Sequence, residues 1–295
     1  MAKELRLMVP SGIGDIHWSL TKLEDYRRKK EADHVHIAIA DEDRRRGHQL
    51  LEACPMVNSW EYMKWPYTKL RYGRVPEGYI PFESNSWLES GNRIEDWLPS
   101  YKPNWQVPLL TTDEEESFAV SNHFYGTPML LLYCSSQKGQ KIGRNTWEAY
   151  RWDRLATALK RKFHFRIVLV GAEYDDLPVT VFDEDLRGKT TFGEIVELIN
   201  LADVLIGFHS GLHVIANSMR VPNWMIYWDE PRLRNLPNSW PEPITQERIH
   251  RNSFFNLDES QTFTLMSGWY EENRDHFTDL KRGRIEAGNG VIRRL

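Results

Sequence analysis

The chain is predicted to fold as an α/β protein of two doubly wound domains facing each other across a cleft. Three observations predict it. Short apolar runs alternate with helical stretches from Leu5 to Met63; the alternation then lapses in a segment rich in Pro, Tyr and Trp; and it restarts at Met129 with a second series of similar size. A length of 295 residues agrees with this, because single hydrophobic cores rarely grow that large. The junction is placed within "LLTTDEEESFAVSNHFYGTP", where an acidic segment and a Gly-Thr-Pro turn precede a fresh strand. The expected domains are residues 1–125 and 126–295, with the C-terminal tail packing back on the first.

In the first half "LRLMVP" reads as a strand, followed by a helix from about Asp15 to Lys30 and the strand "HVHIAIA". A polar helix from Glu42 to Glu52 and the strand "SWEYM" come next. Apolar runs of this length, joined by helices, are expected as parallel strands buried on both faces. Residues 64–110 are irregular, with one helix at "SWLESGNRIEDWLP" closed by Pro99, and loop-rich insertions of this kind often carry binding function.

The second half opens with the strand "MLLLYCSS", the helix "TWEAYRWDRLATALKRKF", the strand "RIVLVGAE" and a short strand near Val179 to Phe182. The helix "TFGEIVELINLA", the strand "DVLIGFHS", the helix "GLHVIANSMR" and the strand "NWMIYW" follow, and the tail has helical stretches around Tyr270 to Leu280.

Composition narrows the function classes. A net charge of −4 with both signs interspersed demands no polyanionic partner, and the basic clusters at Arg27–Lys30 and Arg44–Arg46 read as solvated helix surface. Cys54 and Cys134 lie far apart among apolar neighbours, which fits reduced thiols and neither a disulfide nor a metal site. No window approaches the roughly 20 apolar residues of a membrane span, and the charged N-terminus has no apolar leader. A soluble, cytoplasmic protein without stable membrane insertion is expected.

In open parallel sheets ligands bind where loops leave the carboxyl ends of strands. Four such loops are chemically loaded. In "LMVPSGIGDIHWSL", Gly12 and Gly14 permit close backbone approach and unusual dihedrals, which groups them with donor-type anion contacts; Asp15 stands where a helix begins. Local sequence alone favours Asp15 as a helix-start carboxylate. "SSQKGQKIGRNTW" sets Lys141 and Arg144 before a helix and suits a diphosphate or, equally, a solvated basic turn. "VGAEYDD" offers Gly171 and Glu173. In "GFHSGLHVIANSM", His209 and His213 are four apart but lack a third metal ligand, so Ser210, Gly211 and Leu212 at the helix start are read as holding phosphate oxygens with a histidine donating to the same anion. Asp175, Asp176 and the acids at 183–185 read as loop or surface acids.

Residues 129 to 228 resemble the family 9 glycosyltransferases, the heptosyltransferase type of GT-B architecture with two Rossmann-like domains. The resemblance rests on "LLLYCSSQKGQKIGRNTW", "IVLVGAE", "LRGKTTFGEIVELINLADVLIGFHSGLHVIANSMRVP" and "NWMIYW" in the family's order and spacing, and on "GIGD" where the family has an "LGD" loop. Two departures are visible. His209 replaces the usual acid of a "DSG" turn, and the usual histidine position falls at Val214, with His213 one position early.

The resemblance implies an inverting, metal-independent transfer of a sugar from a nucleotide-diphosphate donor, with no further cofactor. It implies that Asp15 is the general base, that Lys141 or Arg144 and the amides near Ser210 and Gly211 receive the diphosphate, and that the base and ribose lie against Gly171 to Tyr174 and Leu186 to Thr190, including Lys189. The acceptor is expected on the N-terminal half, where Glu83, Asn85, Trp87 and Arg93 are candidates; a structural cap and an amphipathic helix explain these four equally well. The acceptor is a glycan or, alternatively, hydroxymethylated pyrimidines in DNA, as for phage-type enzymes. Two other readings remain: a nucleotide-sugar-binding protein that no longer transfers, motivated by the altered turn, and hydrolysis or epimerisation of the nucleotide sugar.

Overall fold

The structure, a computed structural model, describes residues 3–40, 47–66, 69–70, 74–81, 104, 106–123, 126–135, 147–208, 210–227, 250–254, 257–287 and 291–293. They divide into two compact units, one reaching Leu110 and the other starting at Thr111.

In the first unit, β1 (Glu4–Pro10), α1 (Ile13–Thr21), α2 (Leu23–Lys30), β2 (His34–Ala40), α3 (His48–Ala53), β3 (Ser59–Met63) and β4 (Ile80–Pro81) follow in order. The strands are all parallel and lie in the order β3-β2-β1-β4. The last four residues of β1 and of β2 are buried without interruption, as expected of a sheet covered on both faces, while the first residues of each alternate. That alternation exposes one face on which Arg6, His36, Ser59, Glu61 and Tyr79 interlock. Arg6 donates to the Tyr79 hydroxyl at 2.6 Å, His36 bonds Ser59 Oγ at 2.8 Å, and the Tyr79 hydroxyl donates to Glu61. Burial and the Glu61 carboxylate push the Tyr79 phenol up to about 12, and the Tyr79 bond lowers Glu61.

The single helix expected over Asp15 to Lys30 is two helices parted at Lys22. Ser19 Oγ bonds the Asp15 carbonyl and Thr21 Oγ1 the Trp18 carbonyl, and hydroxyls that bond back in this way bend helices.

The second unit opens with β5 (Leu109–Thr111) at its boundary and α4 (Asp113–Ser121). It continues with β6 (Met129–Tyr133), α5 (Ala149–Phe163), β7 (Arg166–Leu169), β8 (Glu184–Asp185), α6 (Phe192–Leu201), β9 (Val204–Phe208), α7 (Gly211–Ser218), β10 (Asn223–Tyr227), β11 (His250–Phe254), α8 (Glu259–Ala287) and β12 (Val291–Arg293). The six central strands are parallel in the order β8-β7-β6-β9-β10-β11, which reads third, second, first, fourth, fifth, sixth along the chain. This is the doubly wound order in which the direction of winding reverses beside the first strand, here between β6 and β9.

The units part at Leu110, ahead of the junction read from composition, because α4 belongs with α6. Thr112 and Thr191 each cap a helix and pair with Glu115 and Glu194 in a reciprocal capping box; Thr191 also donates to Glu115 at 3.2 Å, and the buried Thr111 donates to Glu197 at 2.6 Å. The strand expected near Val179 to Phe182 lies instead at Glu184–Asp185. Thr180 and Val181 give their backbone N–H groups to Asp153 on α5, and the chain joins the sheet only once past them.

α5 buries Trp152, Leu155, Ala156, Leu159 and Phe163, a helical spacing that faces one side to the sheet, each large side chain contributing about 1.5–3 kcal/mol. α8 packs on α5 and α6 through Met266, Trp269, Tyr270 and Phe277. Near its end the buried Arg284 donates to the carbonyls of Ala202 and Arg220 at 2.9 Å and of Asn200 at 3.4 Å, closing the C-terminal ends of α6 and α7 with one cation. Burial lowers its pKa only to about 10, so it stays charged at neutral pH. Among the described residues no helix is long and apolar enough to cross a membrane.

Candidate active site

The four- and six-stranded sheets each have a switch point, and three of the four chemically loaded loops follow strands that flank one, after β1, β6 and β9. In the first unit β1 lies between β2 and β4, so the loop after β1 leaves the sheet where the strand order turns. That loop is Ser11–Gly12, and α1 begins at Ile13, two residues earlier than expected, with Asp15 in its first turn. Neither glycine of this stretch has the positive dihedral that the sequence reading allowed: Gly12 has φ −77° and Gly14 lies within α1. Gly12 is needed for space. A Cβ there would lie 2.6 Å from Asp15 Oδ2, so the carboxylate occupies the room a side chain would take. The space serves the acid rather than the close approach of a ligand.

Glu83, Asn85, Trp87 and Arg93 follow β4 in the sequence and lie outside the described residues, as does the helix expected around them. Lys141, Arg144 and His209 also lie outside them.

In the second unit the switch point falls between β6 and β9, and the loops after these strands contain the "SSQKGQKIGRNTW" and "HSGLH" stretches. α7 starts immediately after Ser210, whose extended backbone (φ −156°, ψ 168°) makes it the N-cap; its hydroxyl makes no capping bond to the helix amides. Gly211, Leu212 and His213 form the first turn, so their N–H groups point out of the helix start. His213 is not placed to donate to a surface anion: it is fully buried, with Nδ1 3.1 Å from Ser210 Oγ and Nε2 3.4 Å from the Trp224 carbonyl.

The loop after β7 is organised by an acid that sequence reading took for a surface group. Asp175 is buried; it receives the N–H of Ala172 at 2.8 Å and the hydroxyl of Ser135 at 3.2 Å, and thereby joins the loops after β6 and β7. Burial raises its pKa. At Gly171 (φ +152°) a Cβ would lie 2.7 Å from the same carboxylate and force a dihedral that L side chains rarely adopt, so any other residue there would be strained. Gly188 N–H donates to the Gly171 carbonyl at 2.9 Å, so the two loops expected to meet the base and ribose are brought together, with Glu173 and Lys189 exposed on them. Lys189 Nζ donates to the Asp185 carbonyl at 2.7 Å.

The acids at 183–185 have structural partners, Glu184 pairing with Arg166. Asp185 is held low by Arg187, which chelates it at 2.9 and 2.6 Å, and Asp183 binds Lys160 and the Ile167 N–H. Among the described residues no group of three or more His, Cys, Asp and Glu is placed to hold a metal ion.

Comparison with known proteins places this geometry. No curated protein matches the chain. Among solved structures, E. coli ADP-heptose LPS heptosyltransferase II superposes with a TM-score of 0.62 at 15% identity, covering 92% of this chain and 99% of that one. A family 9 glycosyltransferase from Veillonella parvula gives 0.57 at 13% identity over 93% and 89% of the two chains. E. coli heptosyltransferase WaaC with ADP gives 0.55 at 11% over 92% and 99%. The shared fold is that of GT-B glycosyltransferases. The model of glycosyltransferase family 9 (heptosyltransferase) matches residues 98–252, more than half of the sequence. With parallel doubly wound units, a first-turn acid after β1 and a serine-capped helix at the second switch point, the chain belongs to glycosyltransferase family 9 and is a glycosyltransferase.

Proposed function

We propose that the protein moves a sugar from a nucleotide-diphosphate sugar to an acceptor hydroxyl, with inversion and without a metal ion. One observation carries this reading: an acid and a serine-capped helix start each stand at the switch point of their own sheet, Asp15 after β1 and Ser210 after β9. A hydroxyl is a poor nucleophile and a diphosphate leaves with negative charge, so the reaction needs one group of each kind. In a single displacement the acceptor oxygen bonds to the anomeric carbon as the bond from that carbon to the diphosphate oxygen breaks. The electron pair leaves with the diphosphate, and the acceptor proton passes to Asp15. The departing charge is met by the amides opening α7 together with Lys141 and Arg144, while Gly171, Glu173 and Lys189 lie toward the base and ribose. LPS in the description of the E. coli neighbour favours a saccharide acceptor over modified DNA, with Glu83, Asn85, Trp87 and Arg93 offered to it.

Thermal unfolding with ADP, UDP, GDP and CDP tests the donor side. ADP is the first choice because WaaC is described with it. A nucleotide at a hundredfold its Kd raises apparent stability by about 2.7 kcal/mol. If none of the four, nor any of their sugar conjugates, shifts the transition, the proposal fails.

The glycine that makes room for Asp15 supplies a second test. Gly12→Ala pushes a flexible carboxylate aside without touching the backbone, so the melting temperature should change little. Turnover should fall about 10- to 100-fold, since a misplacement on the order of 1 Å is enough for that. Unchanged turnover would mean that the carboxylate position is immaterial.

A further inference from the structure

The loop after β7 is locked on both sides of one exposed ring. Ala172 to Asp175 form a tight turn: the Asp175 N–H donates to the Ala172 carbonyl at 2.9 Å, and the Asp175 carboxylate takes the Ala172 N–H in return at 2.8 Å. Ahead of the turn Gly188 N–H holds the Gly171 carbonyl at 2.9 Å, and beyond it Arg187 donates to the carbonyls of Asp175 and Leu177 at 2.8 and 2.7 Å. Tyr174 stands at the third position of this turn with 42% of its surface exposed. Among the described residues its hydroxyl has no hydrogen-bond partner and its ring no aromatic or cationic neighbour. The other large apolar side chains left exposed there, Tyr150, Leu265 and Ile285, lie on α5 and α8, so Tyr174 alone is in a loop leaving the carboxyl end of a strand. A bare ring with few torsions, carried on a clamped backbone, loses little freedom when a flat ligand settles on it.

We infer that the Tyr174 ring stacks on the nucleobase of the donor. The inference rests on the donor reading above and adds the residue and the force that hold the base. Stacking uses the π-face that every base has, so Tyr174 supplies affinity rather than a choice among bases.

Calorimetry on the full chain tests it, with ADP, UDP, GDP, CDP and ribose 5-diphosphate, which lacks the base, as probes. Tyr174→Ala should weaken every nucleotide that wild type binds by about tenfold and leave ribose 5-diphosphate within about twofold. Tyr174→Phe keeps the ring and should stay within about twofold of wild type on all probes. The side chain is exposed, so both variants should melt with wild type, which separates these losses from a loss of folding. Equal weakening of the nucleotides and ribose 5-diphosphate would place the ring elsewhere on the ligand and overturn the inference. A Phe variant as weak as the Ala variant would do the same, since the hydroxyl and not the ring would then be the contact. Wild-type protein that binds none of the four nucleotides would remove the donor reading and this inference with it. Nucleotide binding that Tyr174→Ala leaves unchanged would remove the inference alone.

Discussion

Asp15→Asn is expected to lower the turnover number by about 10²- to 10⁴-fold while nucleotide binding stays within about threefold of wild type. The reasoning is electrostatic and positional. The amide matches the carboxylate in shape, so it keeps the space above Gly12 filled and the first turn of α1 intact. What it lacks is a lone pair basic enough to take the acceptor proton. The substitution removes none of the groups assigned to the diphosphate, so nucleotide binding is expected to hold. Turnover and affinity therefore separate, which a general loss of folding would not produce. Asp15→Ala should behave in the same way. Full transferase activity in either variant would remove Asp15 as the base. A wild-type protein that binds nucleotide sugars yet transfers to no saccharide acceptor would instead favour a binding protein that has lost catalysis.

The elements carrying the site were legible because their signals are local. Uninterrupted apolar runs such as "MLLLY" gave buried parallel strands, and the glycine-rich turn before Asp15 gave a strand-to-helix loop. What the sequence concealed depends on where chains meet. "TTDEEES" reads as an acidic linker, yet Thr112 and Glu115 are a capping box at the conventional spacing, and that signal would have found α4. Asp175 looks like one of several surface acids until Ser135, forty positions away, donates to it. The fate of His213 could not be read either, because one residue of register on a helix is about 100° of rotation and decides between a ligand face and the core. β11 pairs in parallel with β10 through residues too polar to stand out as a strand, His250 to Phe254. The order of the six strands, which fixes the switch point, is a property of crossovers and is absent from any single segment.

His17→Leu is expected to make the protein more resistant to acid, with an advantage over wild type that grows by about 3 kcal/mol between pH 7 and pH 4. His17 lies on α1 two residues beyond Asp15, is buried, and has no hydrogen-bond partner for either ring nitrogen among the described residues. Burial lowers its pKa from 6.5 to about 4. Above pH 6.5 the ring is neutral in both folded and unfolded chains and stability does not vary with its charge. As the pH falls from 6.5 toward 4, the unfolded chain binds a proton that the folded chain excludes, and each pH unit removes about 1.4 kcal/mol. Below about 4 both states are protonated and the loss stops. Leucine has no proton to bind, so urea unfolding at pH 7, 6, 5 and 4 should give a wild-type curve that falls away from the variant's over that window. Parallel curves would show that His17 keeps an ordinary pKa and hence a partner in the folded state. At pH 7 the variant should already be about 1–2 kcal/mol more stable, since two buried polar atoms without partners are removed. Its turnover is then informative. A variant that gains stability and keeps its activity makes His17 a tolerated defect in a helix buried on every side from Ile16 to Thr21. One that gains stability and loses activity makes the imidazole a group retained for the chemistry of Asp15, at the expense of the fold.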